Sequence, residues 1–186
     1  MSKQNKRGLI LDTAKRLFAE KGYDATGMEE IASVSCVPKS LIYYHFKNKE
    51  DLLNTIITDL FGEYERILKD ETERGIDKIA WYIQFAKENK YCIKILLVES
   101  LKQTGNNTII FKTVETLKKS DPEFGNHLHM VAEFFTSILP SLLFICYEEN
   151  WCNYFNVVPE RMENDFLKVY KLTHGAYHEF INKESL

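Results

Sequence analysis

Two histidines near the end of the chain have the spacing of a metal-binding pair. His174 and His178 are four residues apart, so on a helix both imidazoles lie on one face and are able to bind one ion. His127 and His129 are two residues apart and diverge on a helix. Because pairs four residues apart are common by chance, we expect His174 and His178 to be surface or interface residues. The sequence thus predicts no metal and no cofactor, with a metal-sensing protein as the alternative.

The four cysteines are widely spaced and form no C-x-x-C pair. Cys36, Cys92, Cys146 and Cys152 are therefore expected to be reduced thiols in a reducing compartment. Cys146 and Cys152 are also candidate thiolate ligands, and oxidation of Cys36 is an alternative route to regulation. The chain contains no nucleophile elbow, P-loop or dinucleotide-binding fingerprint, so we expect that it is not an enzyme.

A short segment after Pro38 has the residues of a helix that binds a partner through its exposed side. Ile42 and Phe46 are four apart and predict the buried side. The opposite side is centred on Tyr44 and Ser40, and a short helix that exposes tyrosines, a hydroxyl and lysines is unusual for a purely structural element.

The elements that position this helix precede and follow it directly. A first helix ends at Lys21 and Gly22, and a capping box at Thr26-Gly27-Met28-Glu29 predicts the start of a second. The third restarts at Pro38, and Asn48 caps a long fourth helix. Three short helices with a tight turn between the second and third predict a helix-turn-helix.

Charge is distributed unevenly along the chain. Residues 1–49 hold nine Lys or Arg and five Asp or Glu, whereas the remaining residues hold 15 and 22. A basic head on an acidic body suggests that the head binds a polyanion.

Residues 10–53 resemble the DNA-binding domain of the TetR family of bacterial transcriptional regulators. The matching pieces are Ile10-x3-Ala14-x2-Leu17-Phe18-x3-Gly22-Tyr23, Thr26-x4-Ile31-Ala32, and Val37-x4-Ile42-Tyr43-Tyr44-His45-Phe46-Lys47-Asn48-Lys49-Glu50-Asp51-Leu52. The resemblance implies a double-stranded DNA operator as partner. The residues predicted to contact it are Thr26, Pro38, Lys39, Ser40, Leu41, Tyr43, Tyr44, His45, Lys47 and Lys49.

Within that set we predict a division of roles. Thr26 and Lys49 hold phosphates, and the exposed residues of the third helix address bases or the flanking backbone. Three positions depart from the family pattern. Cys36 replaces the usual turn glycine, which suggests a backbone conformation that tolerates a β-carbon, and Ser40 and Leu41 replace a small residue and a threonine. Leu41 on the DNA-facing side would suit a thymine methyl.

Beyond residue 50 the periodicity is helical throughout, so the predicted fold class is all-α. The expected helices span 48–73, 76–88, 90–102, 108–119, 121–150 with a kink at Pro140, and 159–182. We expect two domains: residues 1–49, a helix-turn-helix DNA-binding domain, and residues 50–186, a helical bundle for effector binding and dimerisation. The uncharged stretch 134–147 is too short for a membrane span and is predicted to be a buried core helix.

The last helix carries a seam of alternating three- and four-residue steps, which is typical of a helical bundle. The seam is Met162, Phe166, Val169, Thr173, Ala176 and Phe180. The family resemblance implies that the last two helices form a homodimer interface.

Aromatic residues are abundant in the body, and the resemblance implies a pocket there for a small, mostly apolar effector. The predicted lining is Trp81, Phe85, Tyr91, Phe111, Phe134 and Phe144. Together these features predict a ligand-responsive, cytoplasmic, DNA-binding repressor with no membrane partner. A metal- or redox-sensing regulator and a protein-docking adaptor are the alternatives.

Overall fold

The computed structural model describes residues 3–74, 78–102, 111, 114–116, 118 and 126–184, and every regular element in these ranges is helical. The elements are α1 (Lys3–Lys21), α2 (Met28–Ser35), α3 (Lys39–His45), α4 (Lys49–Arg74), α5 (Lys78–Glu88), α6 (Lys90–Leu101), α7 (His127–Glu133), a π-helical segment (Phe134–Ile138), α8 (Leu139–Phe155) and α9 (Pro159–Glu184). The all-α prediction is confirmed. Of the predicted helix 108–119, residues 111, 114–116 and 118 are helical, and the rest lies outside the described residues, as does the start signal at residues 121–123.

Helices α1, α2 and α3 pack around one set of apolar side chains. Ile10 and Ala14 of α1, Ile31 of α2 and Ile42 of α3 are fully buried, and Phe46 closes the group just after α3. These are the positions that helical periodicity selected from the sequence, because each lies three or four residues from another buried residue on its own helix or faces one on a neighbour.

The predicted capping box at the start of α2 is wrong. Gly27 is the N-cap and makes no side-chain capping bond. The Thr26 hydroxyl is buried and donates instead to the carbonyls of Gly22 (2.9 Å) and Leu17 (3.3 Å). Thr26 therefore satisfies acceptors at the end of α1, where a helix leaves carbonyls without intrahelical partners. By contrast, the predicted Asn48 cap is confirmed, since its Oδ1 accepts from the Asp51 amide at 2.8 Å.

The turn between α2 and α3 keeps a left-handed residue although it lacks glycine. Cys36 has φ 52° and ψ 36°, and the Val37 amide reaches back to the Ala32 carbonyl at 3.1 Å. This is a Schellman-type helix end, which normally has glycine at the left-handed position. The expectation that the backbone had changed to accommodate a β-carbon is therefore wrong: the chain retains the conformation and Cys36 adopts it. Pro38 is the N-cap of α3, one residue earlier than a first-turn position.

Helix α4 joins the three-helix head to the body through a continuous core. Leu52, Leu53, Ile56 and Ile57 of α4 are buried, and the same hydrophobic cluster extends from Ile10 to Ile145. Helix α4 thus contacts both the head, through α1, and the body, through α5 and α6.

Pro140 lies at the start of α8, directly after the π-helical segment. A proline has no amide hydrogen and its ring displaces the carbonyl four residues earlier, so the regular ladder cannot continue through it. The predicted irregularity at Pro140 therefore takes the form of a π-helical turn between α7 and α8.

The helical run His127–Phe155 is long and apolar enough to cross a membrane by length and composition. Its most apolar 18-residue window has a mean hydropathy of 1.7, and 33% of that window is buried in this chain. The prediction of a buried core helix holds for one side only, where Ile138, Leu142 and Ile145 are buried. Large apolar side chains on the rest of the run are exposed: Leu128, Val131, Phe135, Leu143, Tyr147, Trp151, Tyr154 and Phe155. Uniform apolarity along the sequence does not reveal which side faces the chain's own core.

Candidate nucleic-acid interface and effector region

Helix α3 presents its predicted partner-binding side to solvent. Tyr44 is 67% and Tyr43 46% exposed, and Ser40 is exposed beside them. Ile42 and Phe46 anchor the opposite side in the head core. Two large aromatic side chains held on a short, firmly packed helix offer hydrogen-bonding hydroxyls and flat apolar surfaces at fixed positions, which is the arrangement that reads base edges in a groove.

Lys39 is engaged on the same surface. Its ammonium pairs with the Glu29 carboxylate and lies 5.8 Å from the centre of the Tyr43 ring. The hydrogen bond with Glu29 raises the pKa of Lys39 and lowers the pKa of Glu29. A phosphate contact by Lys39 would therefore replace an existing ion pair.

Two predicted DNA-contacting residues are less accessible than their neighbours. Leu41 is half-buried and packs against the hydrophobic core, so only part of its side chain reaches the surface. His45 is also half-buried, and its Nε2 is a buried atom without a hydrogen-bond partner in the described structure. The role of both in DNA binding stays a prediction.

The two lysines after α3 lie in different surroundings. The side chain of Lys47 is exposed, and its backbone amide donates to Asp51 Oδ2 at 2.9 Å. The Lys49 ammonium donates to the carbonyls of Tyr23 (2.9 Å), Thr26 (3.1 Å) and Asp24 (3.4 Å) and lies 4.3 Å from the centre of the Tyr23 ring. Lys49 thus ties the first turn of α4 to the turn between α1 and α2, a structural role that the sequence did not suggest.

That same turn is connected to the body of the protein. Lys102, directly after α6, bonds to Asp24 at 2.7 Å and to the buried Glu99 at 2.6 Å. Burial alone would lower the pKa of Lys102, but the hydrogen bonds with Asp24 and Glu99 outweigh it and the pKa is raised. The end of α6 and the start of α4 therefore hold one turn of the head between them.

The six predicted pocket residues lie in several places. The rings of Trp81 and Phe85 stack on α5 with their centres 5.7 Å apart. The ring centre of Tyr64 on α4 lies 5.4 Å from that of Trp81 and 5.6 Å from that of Phe85. Phe144 stacks against Phe166 at 4.1 Å, and Phe134 meets Phe135 edge to face at 5.2 Å. Phe111 and Tyr91 are exposed.

A cavity of about 430 Å³ opens between α1 and the junction of α5 and α6. Most of its lining residues carry polar or charged groups, and one of them, Tyr91, is a predicted pocket residue. The lining residues are Asp12, Thr13, Lys15, Arg16, Glu88, Asn89, Tyr91 and Cys92. Of the predicted pocket residues, the structure therefore brings Trp81 and Phe85 together, and Tyr64, which was not predicted, joins them. Burial raises the pKa of Tyr64 to about 12, so its hydroxyl keeps its proton at neutral pH.

The predicted dimer seam of α9 divides between two surroundings. Met162 and Phe166 are half-buried and pack against the chain's own core. Val169 and Phe180 are exposed, as are Thr173 and Ala176. The second half of the seam is thus the part that remains available to another subunit.

His174 and His178 meet a residue that the sequence analysis did not select. Their Nε2 atoms lie 3.5 and 3.2 Å from Oε1 of the buried Glu133. Burial, together with the neighbouring His178 and His129, lowers the pKa of His174 to about 4. An acidic residue at the edge of a long apolar run was the signal available for Glu133, but its contact with α9 comes from the tertiary fold.

Comparison with known proteins agrees with this architecture. The sequence profile of "Bacterial regulatory proteins, tetR family" matches residues 10–56. The chain is 26% identical over 155 residues to the biofilm operon icaADBC HTH-type negative transcriptional regulator IcaR of Staphylococcus epidermidis, covering 76% of this chain and 80% of IcaR. It is 30% identical over 135 residues to the fatty acid metabolism regulator protein of Bacillus subtilis, covering 72% of this chain and 64% of that protein.

Among solved structures, a transcriptional regulator from Aquifex aeolicus VF5 has the same fold, with a TM-score of 0.60 and 21% identity, covering 90% of this chain and 98% of that one. The profile match coincides with α1 to the first part of α4, where the exposed helix α3 lies. Residues 10–56 therefore match the DNA-binding domain of bacterial regulatory proteins of the tetR family, and the chain is a helix-turn-helix transcriptional regulator.

Proposed function

We propose that the protein is a dimeric repressor that leaves a near-palindromic DNA operator when a small, mostly apolar molecule binds to its body. Residues 1–49 bind DNA, and residues 50–186 bind the effector and the second subunit. The protein acts in the cytoplasm. The observation that carries the proposal is the exposed side of α3, where Tyr43, Tyr44 and Ser40 stand on a helix anchored by Ile42 and Phe46.

Ser40, Tyr43 and Tyr44 address bases or the flanking backbone, with a smaller contribution from the exposed part of Leu41. Lys39 and Lys47 contribute charge, His45 contributes a ring nitrogen, and Pro38 sets the entry of α3. The Thr26 hydroxyl donates to the Gly22 carbonyl at the end of α1 and is not directed at a phosphate. Backbone amides at the start of α2 make the phosphate contact in its place. Lys49 has its ammonium on three carbonyls of the head and exchanges one of them for a phosphate.

The effector is proposed to bind beside Tyr64, Trp81 and Phe85, between α4 and α5. An apolar surface with one buried hydroxyl suits a mostly apolar molecule with a polar end. Because Tyr64 lies on α4, a molecule that displaces this side chain acts directly on the helix that carries the head. A shift of α4 changes the separation of the two heads, so that both α3 helices no longer fit successive major grooves. The relative in Bacillus subtilis is a fatty acid metabolism regulator, which agrees with an apolar effector.

A homodimer is proposed to form through the exposed apolar sides of α8 and α9. Trp151 and Phe155 of α8 stack at 5.6 Å and are exposed, as are Val169 and Phe180 of α9. Exposed groups of large apolar side chains are typical of protein interfaces. Two-fold symmetry places two heads on two half-sites about 34–36 Å apart. We infer repression rather than activation because the similar protein of Staphylococcus epidermidis is a negative transcriptional regulator.

The experiment that tests this function is recovery and sequencing of genomic DNA fragments bound by the full chain at physiological salt. We expect enrichment of one or a few near-palindromic sites. Tyr44→Ala should change the preference among sites, because it removes a side chain that addresses base edges. Tyr91→Ala is the control, since it removes an exposed tyrosine from the body rather than from α3. Binding without any enriched sequence, or the same change in both variants, would contradict the proposal.

A further inference from the structure

Glu133, His174 and His178 bring three ligand atoms of the kind that binds transition metals into one place. His174 Nε2 and His178 Nε2 are 3.1 Å apart, and Glu133 Oε1 lies 3.5 Å from the first and 3.2 Å from the second. A tetrahedral Zn²⁺ ion holds nitrogen and oxygen ligands at about 2.0–2.2 Å, which separates neighbouring ligand atoms by about 3.3 Å. The three distances in the structure match that separation.

The hydrogen bonds around His174 direct its lone pair into the cluster. The Thr136 hydroxyl donates its single hydrogen to the Ala132 carbonyl at 2.8 Å. The same hydroxyl lies 3.2 Å from His174 Nδ1, and in the tautomer in which Nδ1 donates to it the neutral ring keeps a lone pair on Nε2. An outer hydrogen bond that orients a histidine ligand in this way is a regular feature of metal sites.

Hydrogen bonding alone does not satisfy the mutual contacts of these three atoms. His174 Nε2 and Glu133 Oε1 are both acceptors, and His178 Nε2 carries one hydrogen at most. At least one of the three contacts then sets two lone pairs against each other. A divalent cation at the centre satisfies all three contacts at once.

The cluster lies on an irregular part of the fold. Glu133 is the last residue of α7, and Thr136 belongs to the π-helical segment that follows. Ser137 of the same segment bonds to the Tyr170 hydroxyl of α9 at 2.7 Å. π-helical turns occur frequently at functional sites, and here the turn brings a carboxylate and a hydroxyl of one helix to the histidines of another.

We propose that Glu133, His174 and His178 form a binding site for one divalent transition-metal ion of the Zn²⁺ class, held between α9 and the junction of α7 with the π-helical segment. Among the described residues, these three form the group of candidate ligand atoms within 4.8 Å of one another. The fourth tetrahedral position is open to water or a small anion, as in zinc sites with three protein ligands. His129, whose Nδ1 bonds to the Tyr177 hydroxyl at 2.9 Å, stands beside the site.

The test measures metal binding directly and without DNA, so its result is separate from that of the repressor proposal. The chelator-treated full chain is titrated with Zn²⁺ by calorimetry, and with Co²⁺, whose visible absorption reports a tetrahedral environment. We expect one ion per chain and a rise in the thermal unfolding midpoint, because an ion that binds only the folded state stabilises it.

Three variants and one control make the outcome specific. His178→Ala should abolish stoichiometric binding and the Co²⁺ spectrum while the chain stays folded, since this side chain is 46% exposed. Glu133→Gln should have the same effect, and Thr136→Val should weaken affinity about 10- to 100-fold through loss of the outer hydrogen bond. His127→Ala removes an exposed histidine of α7 and should bind like the original chain. Absence of binding, or equal loss in the His127 and His178 variants, would overturn the proposal.

Discussion

Cys36 has an unfavourable backbone conformation because of the way in which α2 ends. The Schellman-type end of α2 requires a left-handed conformation, and this residue has φ 52°. A residue with a β-carbon pays about 1–2 kcal/mol in that region, whereas glycine adopts it freely. The thiol itself is exposed and its Sγ is 3.8 Å from the Ser33 carbonyl, so it contributes little in return.

Cys36→Gly is therefore expected to stabilise the protein. Glycine removes the backbone strain but also raises the conformational entropy of the unfolded chain, which offsets part of the gain. The free energy of unfolding should therefore rise by about 0.5–1 kcal/mol. Denaturant unfolding followed by circular dichroism measures it. Asn156 is the matched control, because it has φ 51° at the end of α8 but asparagine tolerates this region, so Asn156→Gly should change stability much less. Equal gains at the two sites would contradict the explanation.

Substitution of Lys47 and of Lys49 distinguishes the loss of a DNA contact from the loss of a contact within the protein. Both are predicted to meet phosphates, but only Lys49 also binds the carbonyls of the turn between α1 and α2. Lys47→Ala should reduce the slope of log affinity against log salt by about 1 and leave stability unchanged. Lys49→Ala should in addition lower the free energy of unfolding by about 1 kcal/mol, because three carbonyls lose a charged donor.

Measurement of operator affinity over a range of salt, together with denaturant unfolding, separates these two effects. If Lys47→Ala lost stability and Lys49→Ala did not, the assignment of the two roles would be reversed.

At the scale of helices, the turn at residues 22–27 is one of the places where the head contacts the body. Lys49 of α4 holds it from one side, and Lys102 after α6 holds Asp24 from the other. The two contacts are made by groups on separate helices, so a relative movement of α4 and α6 must strain or break one of them. In the proposed mechanism, this arrangement is the route by which effector binding in the body changes the position of α3.

Lys102→Met is expected to weaken that coupling. Methionine keeps the apolar length of the side chain but loses the charged bonds to Asp24 and Glu99. Operator affinity in the absence of effector should change by less than about 3-fold, whereas the loss of affinity caused by effector should become smaller by about 5-fold or more, the range of a coupling energy near 1 kcal/mol.

Electrophoretic mobility shift assays measure operator affinity and the loss of that affinity on addition of effector. The effector used is one suggested by the genes next to the recovered operator. Lys118→Met is the control, since Lys118 pairs with Glu115, three residues earlier, at 2.9 Å. A fall in affinity for DNA with unchanged response to effector would place the role of Lys102 in the head alone.

For the whole molecule, the apolar surface left uncovered on α8 and α9 argues for a second subunit. Val169 and Phe180 lie on one side of α9, and His174 and His178 lie on another, against Glu133. The surface offered to a partner and the proposed metal site therefore occupy different sides of the same helix.

Phe180→Glu is expected to produce a monomer that folds but binds the operator poorly. A charge in an apolar interface and the loss of a large aromatic contact should together cost about 2 kcal/mol or more, near 30-fold in the dimer dissociation constant. Light scattering coupled to size-exclusion chromatography measures the mass.

Lys171→Glu is the matched control, because Lys171 is exposed on a different side of α9 from Phe180. A dimer that persists in Phe180→Glu, or that dissociates equally in both variants, would place the interface elsewhere.

The sequence by itself determined the type of DNA-binding domain, the helical class and most helix bounds. Helical periodicity places apolar residues such as Ile10, Ile31 and Ile42 on one side of each helix, and local signals such as Gly22 and Asn48 mark where helices end or begin. These are short-range properties, since each depends on residues within one or two turns. The exposed side of α3, with Tyr43 and Tyr44, was predictable for the same reason.

Only the tertiary structure decided which partners the side chains choose. The Thr26 hydroxyl turned to α1, Lys49 bound the turn of the head, and Glu133 met His174 and His178 across about 40 residues of chain. The same holds for the apolar run 127–155, of which one side faces the core and the other does not. Such contacts depend on how helices cross and on which carbonyls and carboxylates they bring together. Periodicity along a single helix does not contain that information.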